Sequence, residues 1–195
     1  MVSDFFRRHY MPMRERAVWY YCRCQNIPLD RDMNRLAILT ISTSGTQGQR
    51  EDTGSQAIRD KLPPPDYEEV HYEIVADDAD TITDRIRTWA DSGEVDLIVT
   101  TGGTGVGRHD VTPEAARRAM DREVPGMAEA MRAQTLQFTP MAMLSRSVVG
   151  IRGYTLIITL PGSPRGVGEC LDVVLPVLPH SLELLQRESV QEHPR

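Results

Sequence analysis

Gly102, Gly103, Gly105 and Gly107 fall within six positions of the stretch TTGGTGVGRHD, and Asp110 closes it. Glycines at that density permit left-handed backbone and close approach of a ligand, so several N–H groups can converge on one anion. Two familiar phosphate loops are excluded by spacing. A P-loop needs Lys and then Ser or Thr after its last glycine, where this chain has Arg108 and His109. The dinucleotide fingerprint needs a third glycine where Arg108 stands. A carboxylate beside a phosphate cradle repels phosphates unless a cation lies between them, and Mg²⁺ is the natural cation. Asp110 is therefore a candidate for metal work, the alternative being an ordinary acid in a glycine-rich turn.

These residues need elements to aim them. Val95, Leu97, Ile98 and Val99 form an apolar, β-branched run ahead of the loop, suited to a strand buried on both faces of a parallel sheet. Behind it, Thr112-Pro113-Glu114 reads as N-cap, first helical residue and dipole-matching acid. Leu36–Ile41 is a second buried-strand run, and TLIITL, ending at Leu160, is a third. Tyr67–Val75 reads as a strand with Val70, Tyr72 and Ile74 on one face. After it Ile82, Ile86 and Trp89, at i, i+4 and i+7, predict an amphipathic helix. Met127, Met131 and Phe138 suggest a helical stripe of core or subunit contact. Strands alternating with helices predict an α/β fold: a three-layer, doubly wound, mostly parallel sheet with helices on both faces in a single domain. Four polar or glycine-rich loops follow strands, at Ser42 to Gly54, Ala76 to Asp80, Gly102 to Asp110 and Pro161 to Gly166. In such a sheet they share one edge and can line one pocket.

A net charge of -6, with no basic stripe carrying interleaved aromatics, disfavours a nucleic-acid partner. Cys22, Cys24 and Cys170 make neither a disulfide framework nor a C-x-x-C site, which fits a reducing, cytoplasmic setting. No apolar run approaches a membrane span. Residues 1–34 are basic and irregular and hold six of the eleven aromatics, so they read as an extension outside the folded domain. Three accounts of it stand: a disordered extension, translated upstream sequence ahead of a start at Met33, or a partner-binding arm. The folded domain is expected over residues 35–187, with a polar tail at 188–195.

TTGGTG followed by RHDVTPEA resembles the signature loop of molybdenum-cofactor biosynthesis proteins of the MoaB/MogA type. The resemblance extends from Arg35 to about Gln186. Ser42, Asp52 and Gly54 fit the family's first loop, although Thr43 stands where an aspartate is common. Asp77 matches an aspartate at the end of the second strand, leaving Asp78 and Asp80 as cap and first-turn acid. Pro125, Gly126, Glu129 and Arg132 match a P-G-x-x-E-x-x-R pattern, and Leu144-Ser145-Arg146 and Pro161-Gly162-Ser163 match two further motifs. Each has a structural alternative: Asp52 as a helix cap, Glu129 in a surface salt bridge, Ser145 and Arg146 in capping and pairing, Arg165 as a surface charge.

The resemblance implies a molybdopterin adenylyltransferase with ATP and molybdopterin as substrates and Mg²⁺ as cofactor. Asp77 and Asp110 would be catalytic residues holding Mg²⁺. Ser42, Asp52, Thr101, Gly102, Gly103, Thr104, Gly105, Glu129, Ser145, Pro161, Gly162 and Ser163 would bind substrate. It also implies a homotrimer or homohexamer and a downstream metal-insertion protein as a possible partner. The alternative is a binding or carrier protein that holds molybdopterin without catalysis.

Overall fold

The computed structural model describes residues 33–46 and 51–186. The readings made for the N-terminal extension before Met33, for Cys22 and Cys24, and for the tail at 188–195 lie outside the described residues. Strand β1 (Asn34–Ile41) leads into the single turn α1 (Thr43–Thr46), and helix α2 (Thr53–Lys61) precedes β2 (Tyr67–Val75). Helix α3 (Ala79–Asp91), β3 (Leu97–Thr101) and α4 (Thr112–Ala119) follow. Then come β4 (Arg122–Glu123), α5 (Pro125–Thr135), a 3₁₀ turn (Pro140–Leu144), β5 (Val149–Arg152), β6 (Thr155–Leu160), α6 (Pro164–Val174) and α7 (Leu178–Gln186).

The strands form one sheet in the order β2-β1-β3-β6-β5-β4. The first four run parallel, while β5 is antiparallel to β6 and β4 to β5. The expected doubly wound, mostly parallel sheet is thus observed, with a short antiparallel edge. Every residue of β3 and β6 is buried, because helices cover both faces. On one face Leu36, Ile38, Leu97, Val99 and Ile158 pack with Ile58 of α2, Met131 of α5 and Val167, Leu171 and Val174 of α6. On the other, Ala37, Leu39, Ile98 and Ile157 meet Ile82, Ile86 and Trp89 of α3 and the Ala115, Ala116 and Ala119 stripe of α4. Each fully buried Leu or Ile side chain contributes about 1.5–3 kcal/mol.

The edge strand β2 corrects one expectation. The register against β1 shifts between Leu36 and Ala37, so that Leu36 pairs with Glu69 and Ala37 with His71, leaving Val70 bulged. A bulge inverts the alternation beyond it. Val70 packs on the Trp89 face, and Tyr72 turns to the opposite face, where its hydroxyl reaches Asp52 beside α2. His71 then stacks on Trp89 with ring centroids 5.5 Å apart. The helical stripe is also shorter than expected. Met131 is core, but α5 ends at Thr135 and Phe138 lies beyond it, 49% exposed.

At the amino end of the sheet, Asp96 accepts from the Arg35 backbone N–H (2.8 Å) and from its Nε (3.0 Å) and second guanidinium nitrogen (2.7 Å). This pair joins the start of β1 to the start of β3. The carboxyl end of the same strands is left for the four loops.

Candidate functional site

The glycine loop is held in shape from three directions. Gly102 (φ 102°) and Gly103 (φ 63°) occupy the left-handed region that only glycine adopts cheaply. A Cβ on Gly102 would stand inside van der Waals contact of the Ile41 carbonyl oxygen, so the end of β3 passes β1 only without a side chain. Thr112 donates its hydroxyl to the Gly102 carbonyl (2.9 Å) and its N–H to the Gly103 carbonyl (3.1 Å). This replaces the expected N-cap role: Val111 is the cap residue of α4, without a side-chain bond, and Thr112 instead fastens the helix to the loop. Asp110 accepts the Gly107 N–H through Oδ2 at 2.6 Å.

Arg146 is the third fastener. Its N–H donates to Thr104 O (2.9 Å), its Nε to Gly105 O (2.6 Å), and its two terminal nitrogens to Asp110 O and the Glu114 carboxylate. Its guanidinium is thus spent on the loop's carbonyls and Glu114, the pairing alternative read for it. With the loop's carbonyls facing these donors, the N–H groups of Gly103, Thr104 and Gly105 donate to nothing among the described residues. Three consecutive free donors beside two clefts are what an anion cradle requires.

The first cleft, of about 640 Å³, draws residues from all four loops. Ser42, Asp52, Asp77, Thr101, Gly102, Gly103, Gly162 and Ser163 line it, as does His109. The second, of about 480 Å³, is lined by Thr104, Gly105, Asp110, Ser145 and Pro161, and shares Gly103, Gly162 and Ser163 with the first. The four loops therefore meet at one cleft as expected, while the glycine loop and the Pro161–Gly166 loop also border a second, adjoining one, and Asp77 and Asp110 face different clefts. Glu129 lines neither; it is exposed on α5.

The acids differ in how far they are committed. Asp52 caps α2 by accepting the Ser55 N–H (3.0 Å) through Oδ1, while Oδ2 accepts from Thr40 (2.6 Å) and Tyr72 (2.8 Å). Burial pushes its pKa up, but the hydrogen bonds from Thr40, Ser55 and Tyr72 outweigh this and hold it below the usual carboxylate range. Arg59 lies over the Tyr72 ring, 4.6 Å from its centroid. The Asp77 carboxylate is bound only through Oδ2, which accepts the Thr43 N–H (2.9 Å) and hydroxyl (2.7 Å); Oδ1 has no partner among the described residues. Asp78 caps α3, accepting from Thr81, and Asp80 lies in its first turn, the roles expected of both; Asp80 also pairs with Arg118.

Ser163 caps α6, accepting the Gly166 N–H at 3.2 Å, so the start of that eleven-residue helix opens onto both clefts. Arg165 pairs with Glu169 one turn on. Sequence reasoning did not place Ile74 in the first cleft, or Met141 and Cys170 in the second, and it named Arg132 and Leu144 only as members of matched motifs. The second wall comes from α5, α6 and the 3₁₀ turn, which meet there only in the folded chain. Its local signal was slight: Met131, read as core, is both core and wall.

Residues 37–180 match the family model described as "Probable molybdopterin binding domain". The chain belongs to the MoaB/MogA family of molybdenum cofactor biosynthesis proteins. A molybdopterin adenylyltransferase of Helicobacter pylori is 40% identical over 154 residues, covering 77% of this chain and 86% of that one. The crystal structure of the molybdopterin biosynthesis enzyme MoaB from Thermus thermophilus is 53% identical, with a TM-score of 0.74 over 78% of this chain and 96% of that one. A tungsten cofactor synthesizing MoaB from Pyrococcus furiosus is 30% identical, with a TM-score of 0.72 over 80% and 99% of the two chains. These MoaB/MogA relatives share the fold that carries the two clefts.

Proposed function

We propose that the protein is a molybdopterin adenylyltransferase in molybdenum cofactor biosynthesis, transferring AMP from Mg-ATP to the terminal phosphate of molybdopterin with release of pyrophosphate. The single observation that carries this is the cradle of free N–H groups at Gly103 to Gly105, placed where the two clefts join. Two anionic groups that must meet at one phosphorus are served by such a junction. The first cleft, lined by hydroxyls and acids, takes the nucleotide phosphates. The second, walled by Met131, Met141 and Leu144, takes the pterin.

A phosphate oxygen of molybdopterin attacks the α-phosphorus of ATP, and the bond to the pyrophosphate oxygen breaks. A phosphate monoester is already anionic, so no strong general base is needed; what lowers the barrier is in-line positioning and charge stabilisation. The Gly103–Gly105 N–H groups donate to the phosphate oxygens, with Thr101, Thr104 and Ser163 placed beside them.

The described lining of the first cleft contains Glu51, Asp52 and Asp77, one histidine, and no lysine or arginine. Polyphosphate can enter such a cleft only with a cation. The Asp77 Oδ1 atom is free to ligate, and so is Oδ1 of Asp110, which has no partner among the described residues. Among the described residues no three His, Cys, Asp or Glu side chains cluster, and Mg²⁺ needs none, since it takes one or two carboxylates with water and phosphate. Asp77 is the residue that would hold it in the first cleft, and Asp110, on the second-cleft side of the shared glycine loop, is the other candidate; the metal would supply Lewis acidity and a template when bound.

Exposed Leu136, Phe138, Met141, Met143 and Leu144 lie together along the chain and support self-association as a homotrimer or homohexamer. The reading also places the protein in the cytoplasm, handing its product to a metal-insertion protein. Among the described residues no helix is long and apolar enough to cross a membrane. The decisive test is ATP- and Mg²⁺-dependent formation of adenylylated molybdopterin by purified protein, with Asp77→Asn and Asp110→Asn alongside. Product from wild type and at least about 100-fold less from each variant is expected. Tight molybdopterin binding with no product would make the protein a carrier.

A further inference from the structure

Thr43 makes three hydrogen bonds to one residue. Its N–H and hydroxyl donate to Asp77 Oδ2 at 2.9 and 2.7 Å, and the hydroxyl oxygen accepts the Asp77 N–H at 3.2 Å. The hydroxyl thus uses its one proton and a lone pair on the same partner. Both residues sit at strand ends that are themselves joined, since the Ser42 N–H donates to Val75 O at 2.9 Å. Asp77 is only half-buried, and a surface carboxylate without such a clasp samples several rotamers.

We infer that Thr43 is a positioning residue for the metal ligand: it saturates Asp77 Oδ2 and presents Oδ1 alone to the first cleft. This rests on the adenylyltransferase reading and its placement of a cation at Asp77. The geometry makes Asp77 a monodentate ligand held before the metal arrives, so its ordering cost does not fall on binding. A carboxylate at position 43 could donate no proton to Asp77 and would repel it. The threonine there therefore leaves Asp77 as the one acid of this clasp, held in one orientation. Arg59, Tyr72 and Asp52 form a separate network on α2 and β2 and share no bond with this clasp.

The test measures Mn²⁺ affinity, by the loss of the free-ion electron paramagnetic signal, with α,β-methylene-ATP present. Wild type, Thr43→Val, Thr43→Ser and Asp77→Asn are compared. Removing the hydroxyl loses its charge-assisted hydrogen bond to Oδ2 and the weaker one it accepts from the Asp77 N–H, so Thr43→Val is expected to weaken Mn²⁺ binding about tenfold. Thr43→Ser, which keeps donor and acceptor, should stay within about twofold of wild type, and Asp77→Asn should lose at least as much as Thr43→Val. Molybdopterin affinity should be unchanged in Thr43→Val.

Wild-type Mn²⁺ affinity in Thr43→Val, with Asp77→Asn weakened, overturns the positioning role and leaves the metal assignment standing. Equal loss of Mn²⁺ and molybdopterin affinity in Thr43→Val, or no rescue by serine, also overturns it. Wild-type affinity in Asp77→Asn overturns the metal assignment itself, and this inference with it. Thr43 is exposed and valine matches its shape, so the variant is expected to fold.

Discussion

Replacing Gly102 by alanine tests whether the glycine loop is positioned by necessity. Gly102 lies at φ 102°, and the added methyl would fall well under 3.0 Å from the Ile41 carbonyl oxygen, a backbone atom of a buried strand. Gly93 supplies the control: it lies at φ 73° with nothing within 4 Å of its virtual Cβ. Gly93→Ala therefore measures the backbone cost alone, about 1–2 kcal/mol. Gly102→Ala adds a steric term, since β1 and β3 must part at their carboxyl ends. Overpacking of that kind costs about 1–3 kcal/mol on top of a backbone cost of about 1–3 kcal/mol.

The expected total for Gly102→Ala is about 2–6 kcal/mol, a large share of the roughly 5–15 kcal/mol that holds such a domain together. At this chain length that is a Tm lowered by roughly 4–24 °C. Urea unfolding of the three proteins, with equal m-values, gives the comparison directly. The same displacement moves the Gly103–Gly105 donors, so Gly102→Ala protein that remains folded should bind ATP poorly, whereas Gly93→Ala should bind it normally. If Gly102→Ala loses no more stability than Gly93→Ala and keeps its ATP affinity, the close passage of β3 over Ile41 does not set the loop.

Arg146→Lys retains charge beside Glu114 but cannot reach both Gly105 O and Asp110 O; KM for the substrates should rise about tenfold in steady-state assays, with Tm lowered by only a few degrees. Asp96 has its pKa pushed up by burial but pulled further down by Arg35, a net fall from 3.8. Its contribution to stability is therefore complete above the unfolded value of 3.8 and is lost as pH falls through the lower folded value. The stability gap between wild type and Asp96→Asn in urea titrations should be constant from pH 5 to 7 and close below pH 3.8. Burial, with Glu169 nearby, pushes the Cys170 thiol up to about 11. In a Cys22→Ser, Cys24→Ser background, Cys170 should react with a disulfide reagent at pH 8 many times faster in urea than when folded.

The core strands were legible because burial on both faces leaves a continuous apolar run, as in Leu36 to Leu39 and Leu97 to Val99. Asp78 was legible as a cap because capping is local: its acceptor and the Thr81 N–H are three residues apart. What failed was non-local. The bulge at Val70 depends on the register β2 takes against β1, which no pattern within β2 reveals. Thr112 looked like a cap in its own segment, and only the return of Gly102 to its side gives the hydroxyl a better acceptor. The edge strand Arg122–Glu123 is two residues long, too short for any periodicity, and exists because β5 offers it a partner. The second cleft is the same case on a larger scale, since Arg132, Leu144 and Cys170 lie on three different elements.

Residue type alone could not rank the acids of the first cleft, whereas their hydrogen bonds do. Asp52 spends both oxygens on Ser55, Thr40 and Tyr72 and is held below the usual carboxylate range by them. A carboxylate so satisfied gains little from a cation and would lose those bonds in turning to one. Its work is to fix the start of α2 against β1 and β2, which shapes the cleft wall. Asp77 keeps one oxygen unspent and has a neighbour, Thr43, that holds the other. An acid that is oriented but not satisfied is in the state a metal ligand needs before its metal binds. The distinction lies in which strand ends meet at the sheet edge, so two aspartates alike in residue type come to differ in how far the fold satisfies them.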